Sequence, residues 1–139
     1  MLRRGLLRLM RILHVADRAD WAAAQAAGRY EVSSRGRTLA DEGFIHTSAS
    51  RQVGGVLERY YADLDPAGLL LLVIDIEELE RAGSPVRWDE VTGAPAPFPH
   101  IYGPIVPSAV VATLPITGSP GAAALPELTG WEVVAAAPA

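Results

Sequence analysis

Leu69-Leu70-Leu71-Leu72-Val73-Ile74-Asp75 is the stretch from which the rest of the chain is read. A strand with one wet face alternates apolar and polar residues, whereas this run is apolar without a break until Asp75. Both of its faces must therefore be covered, and the run predicts a central strand with other elements packed on each side. It falls far short of the roughly 20 apolar residues of a membrane span. Residues 63–68 read as the turn that precedes it, and residues 76–82 as a helical turn that follows.

Upstream, residues 11–16 (RILHVA) read as a short strand that hands over at Asp17, a natural N-cap. Arg18–Ala27 then forms an alanine-rich helix with Trp21 on its apolar face, closed by Gly28. The polar residues 30–41 read as an excursion over the surface, and residues 43–47 (GFIHT) as a second strand. Thr47 or Ser48 is placed to cap a helix over residues 50–61, whose buried stripe is Val53, Val56, Leu57, Tyr60 and Tyr61. Downstream, residues 86–90 (VRWDE) alternate like a strand. Residues 93–99 carry three prolines and are excluded from a central strand, and residues 109–116 form a last strand. The order is α+β: two early helices and a mostly antiparallel set of short strands.

With 139 residues, the chain holds one domain, placed at residues 10–117. Residues 1–9 read as a basic lead, with Met10 a candidate start, and residues 118–139 as a loosely attached Gly/Pro/Ala-rich tail in which residues 131–134 dock. Hydrophobic residues make up 50% and charged residues 20%, which excludes a disordered chain. The net charge of -4 gives no basic footprint for nucleic acid. All 12 basic residues are arginine, which excludes lysine Schiff bases and a P-loop lysine. The absence of cysteine removes disulfides, thiolate catalysis and cysteine-ligated metals. Arg8 and Arg11 interrupt the leucines of the N-terminus, so no signal-peptide core forms. The expectation is a soluble, cytoplasmic protein with no membrane partner.

Chemistry concentrates around the only three histidines, His14, His46 and His100. Imidazole is the side chain that ordinarily changes charge near neutral pH, so these are the candidate acid–base groups. A three-histidine zinc site is chemically possible, but no HxH or HxxxH pair occurs, and no metal is expected. Glu42-Gly43-Phe44-Ile45-His46-Thr47-Ser48 gathers a carboxylate, an imidazole and two hydroxyls, with Phe44, His46 and Ser48 on one strand face. A Ser48–His46 nucleophile pair is sterically conceivable there, yet no GxSxG elbow accompanies it and capping explains Ser48. Phe98-Pro99-His100-Ile101-Tyr102-Gly103-Pro104 presents His100 and Tyr102 to one side of a stiff segment. Trp88 sits among Arg87, Asp89 and Glu90, and Gly54-Gly55 lies inside a helix, outside any GxGxxG turn.

Taken together, residues 12–16, Asp20-Trp21, residues 42–48 with Gln52, Tyr60-Tyr61, and the runs 70–75, 86–90 and 98–105 resemble the domain of unknown function 952 family of bacterial proteins. The likeness spans about residues 10–116. A more distant likeness is to the ADP-ribosyltransferase fold, two small sheets clasping a NAD cleft. There a first-strand histidine, in a context similar to Leu13-His14-Val15-Ala16, bonds the nicotinamide ribose. The Gly43–Ser48 run looks like that fold's second strand before a Ser-capped helix. Where the fold carries its catalytic glutamate, this chain has His100, which cannot act as the same anion. RNA 2′-phosphotransferases share the fold and rely on Arg and His, so a histidine-rich version is chemically reasonable.

The residues point to a small-molecule enzyme with a cleft lined by His14, His46, His100 and Tyr102. His14 orients a ligand hydroxyl, His46 or His100 acts as general acid or base, and Tyr102 or Phe44 stacks on a flat ring. Ser48 and Trp88 complete the candidate ligand contacts. The resemblance implies NAD or another ADP-ribose-containing ligand, with Arg51 or Arg87 holding phosphates as bidentate donors. No cofactor is required. A non-catalytic binding or regulatory module, and an acid–base cyclase, dehydratase or isomerase, are the other readings these residues leave open.

Overall fold

The structure is a computed structural model that describes residues 10–138. In chain order its elements are β1 (Arg11–Asp17), α1 (Arg18–Ala27), β2 (Val32–Ser34), β3 (Arg37–Thr38), α2 (Leu39–Glu42), β4 (Ile45–His46) and α3 (Ser50–Tyr60). There follow β5 (Leu69–Asp75), α4 (Ile76–Arg81), β6 (Val86–Asp89), β7 (Phe98–Ile101), β8 (Val110–Pro115), β9 (Thr117–Ser119) and β10 (Ala122–Ala124). The class is α+β with four helices among the described residues; the short α4 stands where a helical turn was read over residues 76–82, and the four-residue α2 was not foreseen. The basic lead read at residues 1–9 lies outside the described residues. Among the described residues no helix is long and apolar enough to cross a membrane.

β5 is the middle strand of an antiparallel sheet ordered β1-β5-β8, and every one of its residues is buried. Its side chains divide by parity, as the pleat requires. Leu70, Leu72 and Ile74 enter one core cluster with Ile12, Trp21, Tyr30, Ile45 and Ile101. Leu69, Leu71 and Val73 enter a second with Leu13, Val15, Val53 and Leu57. The unbroken apolar run thus serves two cores. A second antiparallel sheet, ordered β4-β7-β6, turns Ile45, Ile101 and Trp88 toward the first core. By the same alternation, His46, His100 and Asp89 lie on its other face.

α1 has the ends read from the sequence. Asp17 accepts from the amides of Ala19 and Asp20, and Gly28 closes the helix with φ 83°.

Several expectations are corrected. Residues 98–99 belong to a central strand after all, because β7 lies between β4 and β6. Pro99 contributes a carbonyl there, accepting from the Thr47 amide at 3.3 Å and the Thr47 hydroxyl at 2.6 Å, and that role needs no N–H. This also takes Thr47 away from capping. Neither Thr47 nor Ser48 caps α3; its N-cap is Ala49, whose amide donates to Gln52 Oε1 at 3.0 Å. The next two helical amides, of Ser50 and Arg51, donate to the carbonyls of Val134 and Ala135.

Those carbonyls correct the reading of residues 118–139 as loosely attached, while residues 131–134 dock as read. β9 and β10 pair as a hairpin, and Arg11 exchanges backbone hydrogen bonds with Glu132 and Val134. Leu128, Trp131 and Val133 pack on the second core. Composition misleads here because docking through main-chain groups does not depend on side-chain polarity. The excursion read at residues 30–41 likewise begins in the core. Tyr30 is 1% exposed, and the segment folds as the β2–β3 hairpin followed by α2.

A histidine-lined candidate active site

One cleft of about 670 Å³ gathers side chains from β1, the β2–β3 hairpin, β4, α3, β7 and the loop after β6. Its lining includes His14, His46 and His100, so the three histidines, separated widely in sequence, meet at one site. Each sits there in a different electrostatic environment.

His100 is held from behind. Its Nδ1 lies 2.8 Å from Asp89 Oδ2, and the Tyr102 hydroxyl donates to the same oxygen. A carboxylate accepts only, so Nδ1 carries the proton and Nε2 presents a lone pair. Nε2 is buried and has no hydrogen-bond partner among the described residues. An orphaned buried nitrogen is unusual and requires an explanation. Phe44 stacks flat on the ring at 4.1 Å between centroids. Burial pulls the His100 pKa below its ordinary value; the Asp89 hydrogen bond opposes this, and the neighbouring His46 adds to it. Asp89 is held below the usual carboxylate range, first by the Tyr102 hydroxyl and then by His100.

His46 is the exposed member. Its Nε2 donates to Glu42 Oε1 at 3.1 Å, four residues back, and Arg37 reaches the other Glu42 oxygen at 3.4 Å. The His46 and His100 rings meet edge to face at 5.2 Å. Two carboxylate–imidazole pairs therefore stand side by side, one buried and one half exposed.

His14 is different. Its Nδ1 donates to the His46 carbonyl at 2.6 Å, which leaves Nε2 to accept from the Tyr30 hydroxyl at 2.8 Å. With both ring nitrogens committed and the ring buried, its pKa falls to about 4, chiefly through desolvation. His14 is neutral at physiological pH and ties β1 to β4, so it is a positioning residue and does not offer a free nitrogen to a ligand hydroxyl.

The other expected site residues divide. Ser48 lines the cleft, but His46 bonds Glu42, so no Ser48–His46 pair forms. Phe44 and Tyr102 stand beside the cleft as braces for His100 and Asp89, outside its lining residues. Arg87, on the same sheet face as His100, lies over the Tyr102 ring at 5.1 Å, and Trp88 packs on the first core; neither is among the lining residues. Arg51 is exposed at the start of α3 and also lies outside the lining.

Sequence reasoning missed Asp89 as the partner of His100, and Arg35, Arg59 and Tyr60 as lining residues. The alternation Arg87–Asp89 was a usable signal, since it puts Asp89 on the polar face of β6. The β6–β7 register that sets Arg87 opposite His100 was not readable from the sequence. Among the described residues no cluster of His, Asp and Glu is arranged to hold a metal ion.

The chain belongs to the family described as protein of unknown function (DUF952), whose model matches residues 15–113. It is similar to the crystal structure of protein CC0527 from Caulobacter crescentus, with 31% identity and a TM-score of 0.67 over 85% of this chain and 94% of that one. The solution NMR structure of CC0527 gives 30% identity and a TM-score of 0.62 over 85% and 92%. No curated protein matches the chain.

Proposed function

We propose that the cleft is the active site of a small-molecule enzyme working by histidine acid–base chemistry. His100 is the base and His46 the partner acid. The observation that carries this reading is the buried, unpartnered Nε2 of His100, fixed as a proton acceptor by Asp89 on the far nitrogen. The two neighbouring imidazoles are held by different carboxylates, His100 buried on Asp89 and His46 half exposed on Glu42, an arrangement that suits one to accept and one to donate.

In the finer form of the proposal the fold is ADP-ribosyltransferase-like and the ligand is NAD or another ADP-ribose-containing molecule. Its support is the pair of small antiparallel sheets and a cleft of about 670 Å³, within the range that holds a ligand of this size. An acceptor hydroxyl attacks the ribose carbon that bears nicotinamide. Nicotinamide leaves with the electron pair of the glycosidic bond, and the hydroxyl proton passes to His100 Nε2. His14, with both nitrogens occupied, takes no part in binding the ribose. Tyr60, 61% exposed yet part of the lining, supplies the aromatic face that Phe44 and Tyr102 do not.

The test is a thermal-shift titration with NAD, ADP-ribose, nicotinamide and an RNA 2′-phosphate mimic, run on the wild type and His100→Ala. A ligand that binds only the folded state adds about 2.7 kcal/mol at a hundredfold excess over Kd. The expected result is stabilisation by NAD or ADP-ribose that weakens in His100→Ala, with product after long incubation. Stabilisation with no product would make the protein a binding module. No response to any of the four removes the ADP-ribosyl form of the proposal.

A further inference from the structure

Apart from the histidines, the charged residues lining the cleft are Arg35, Glu42 and Arg59. Two of them are already compensated. Arg35 makes a two-pronged contact with Asp63, at 2.7 and 3.1 Å, and Glu42 lies between Arg37 and His46. Arg59 makes no ion pair among the described residues, so it is the uncompensated charge of the lining. Its guanidinium folds back one helical turn, as side chains on a helix do, and lies on Gly55. A Cβ placed on Gly55 would stand 3.0 Å from Arg59 Nη2 and 3.5 Å from its Cζ. A Cβ on Gly54, by contrast, meets nothing within 4 Å. Each glycine costs the helix about 1 kcal/mol relative to alanine, and the bare surface of Gly55 is what gives Arg59 its seat.

We propose that Arg59, seated on Gly55, is the anion anchor of the cleft, and that the ligand is a phosphorylated small molecule whose phosphate or diphosphate it grips. This rests on the reading of the cleft as a small-molecule site and names the substrate class. A guanidinium fork matches phosphate oxygens in pairs, and hydroxyls of Ser34, Ser48 and Thr92 line the same cleft as further donors.

The experiment is calorimetric titration of the full chain with inorganic pyrophosphate and, separately, with ADP-ribose. Arg59→Ala is expected to weaken pyrophosphate binding at least tenfold, with Arg59→Lys in between because the fork is lost. Gly55→Gln, which fills the seat, is expected to raise Tm and yet weaken binding severalfold. Gly54→Gln is expected to raise Tm and leave binding intact. A merely structural role for Arg59 cannot separate the two glycines in this way. The anchor is overturned if wild type ignores pyrophosphate, or if either Arg59→Ala or Gly55→Gln binds it as wild type does. His100→Ala keeps the two readings apart: it should retain pyrophosphate binding while weakening ADP-ribose binding. If ADP-ribose is turned over as fast by His100→Ala as by wild type while Arg59→Ala loses pyrophosphate, the acid–base reading falls and the anchor stands.

Discussion

Lowering the pH from 7 to 4 is expected to cost the protein about 3 kcal/mol of folding stability through His14 alone. The ring is neutral in the fold, with its pKa drawn from 6.5 down to about 4 by burial, and regains its ordinary basicity on unfolding. Between those two values the unfolded chain binds the extra proton, so stability rises with pH across that window. The contribution is complete above about 6.5 and is lost as pH falls toward about 4. Other groups, His100 among them, titrate in the same direction, so the comparison that isolates His14 is with His14→Asn. The amide can still donate to the His46 carbonyl but does not titrate. Urea unfolding at several pH values should give a shallower slope for the variant between pH 4 and 6.5, together with lower stability at pH 7. Equal slopes would mean that His14 is not the buried neutral link between β1 and β4.

The second large effect is on turnover of whichever ligand the thermal-shift titration returns. A positioned acid or base is worth about 10²–10⁴ in rate, so His100→Ala should lose that much. Asp89→Asn should lose at least a hundredfold, because an amide no longer fixes the Nδ1–H tautomer by charge and stops stabilising the imidazolium. Phe44, stacked on the ring, keeps it in place, so the fold should survive the change. The pH profile provides a readout that a purely structural loss would not move. Asp89 raises the His100 pKa against the pull of burial, so removing the carboxylate should shift the acid limb of kcat to lower pH. An acid limb unchanged in Asp89→Asn would separate Asp89 from the reacting group.

Much of this was legible in the chain. The run over residues 69–75 announced a strand covered on both faces, and Asp17 with Gly28 marked both ends of α1, because those signals are local. Clustering of the three histidines in the densest motifs placed them at one site. What each histidine does there was not legible, since it depends on partners fixed by tertiary register. Nothing local distinguishes His14, with both nitrogens occupied, from His100, with one free. Asp89 became the partner of His100 through the pairing of β6 with β7, and Arg59 lines the cleft with its guanidinium beside Gly55. The tail was misjudged for the same kind of reason: its main-chain carbonyls, which no composition reveals, close the start of α3.

The most direct measurement is long-range ¹H–¹⁵N NMR of the imidazoles in uniformly labelled protein from pH 4 to 8, without ligand and with rising ADP-ribose. Free His100 is expected to be neutral at pH 7 with its proton on Nδ1, and ADP-ribose is expected to move the His100 Nε2 resonance while leaving His14 in place. A His100 protonated on Nε2, or charged at pH 7 and unmoved by ADP-ribose, would contradict the proposal that this nitrogen is the base of a ligand-binding cleft.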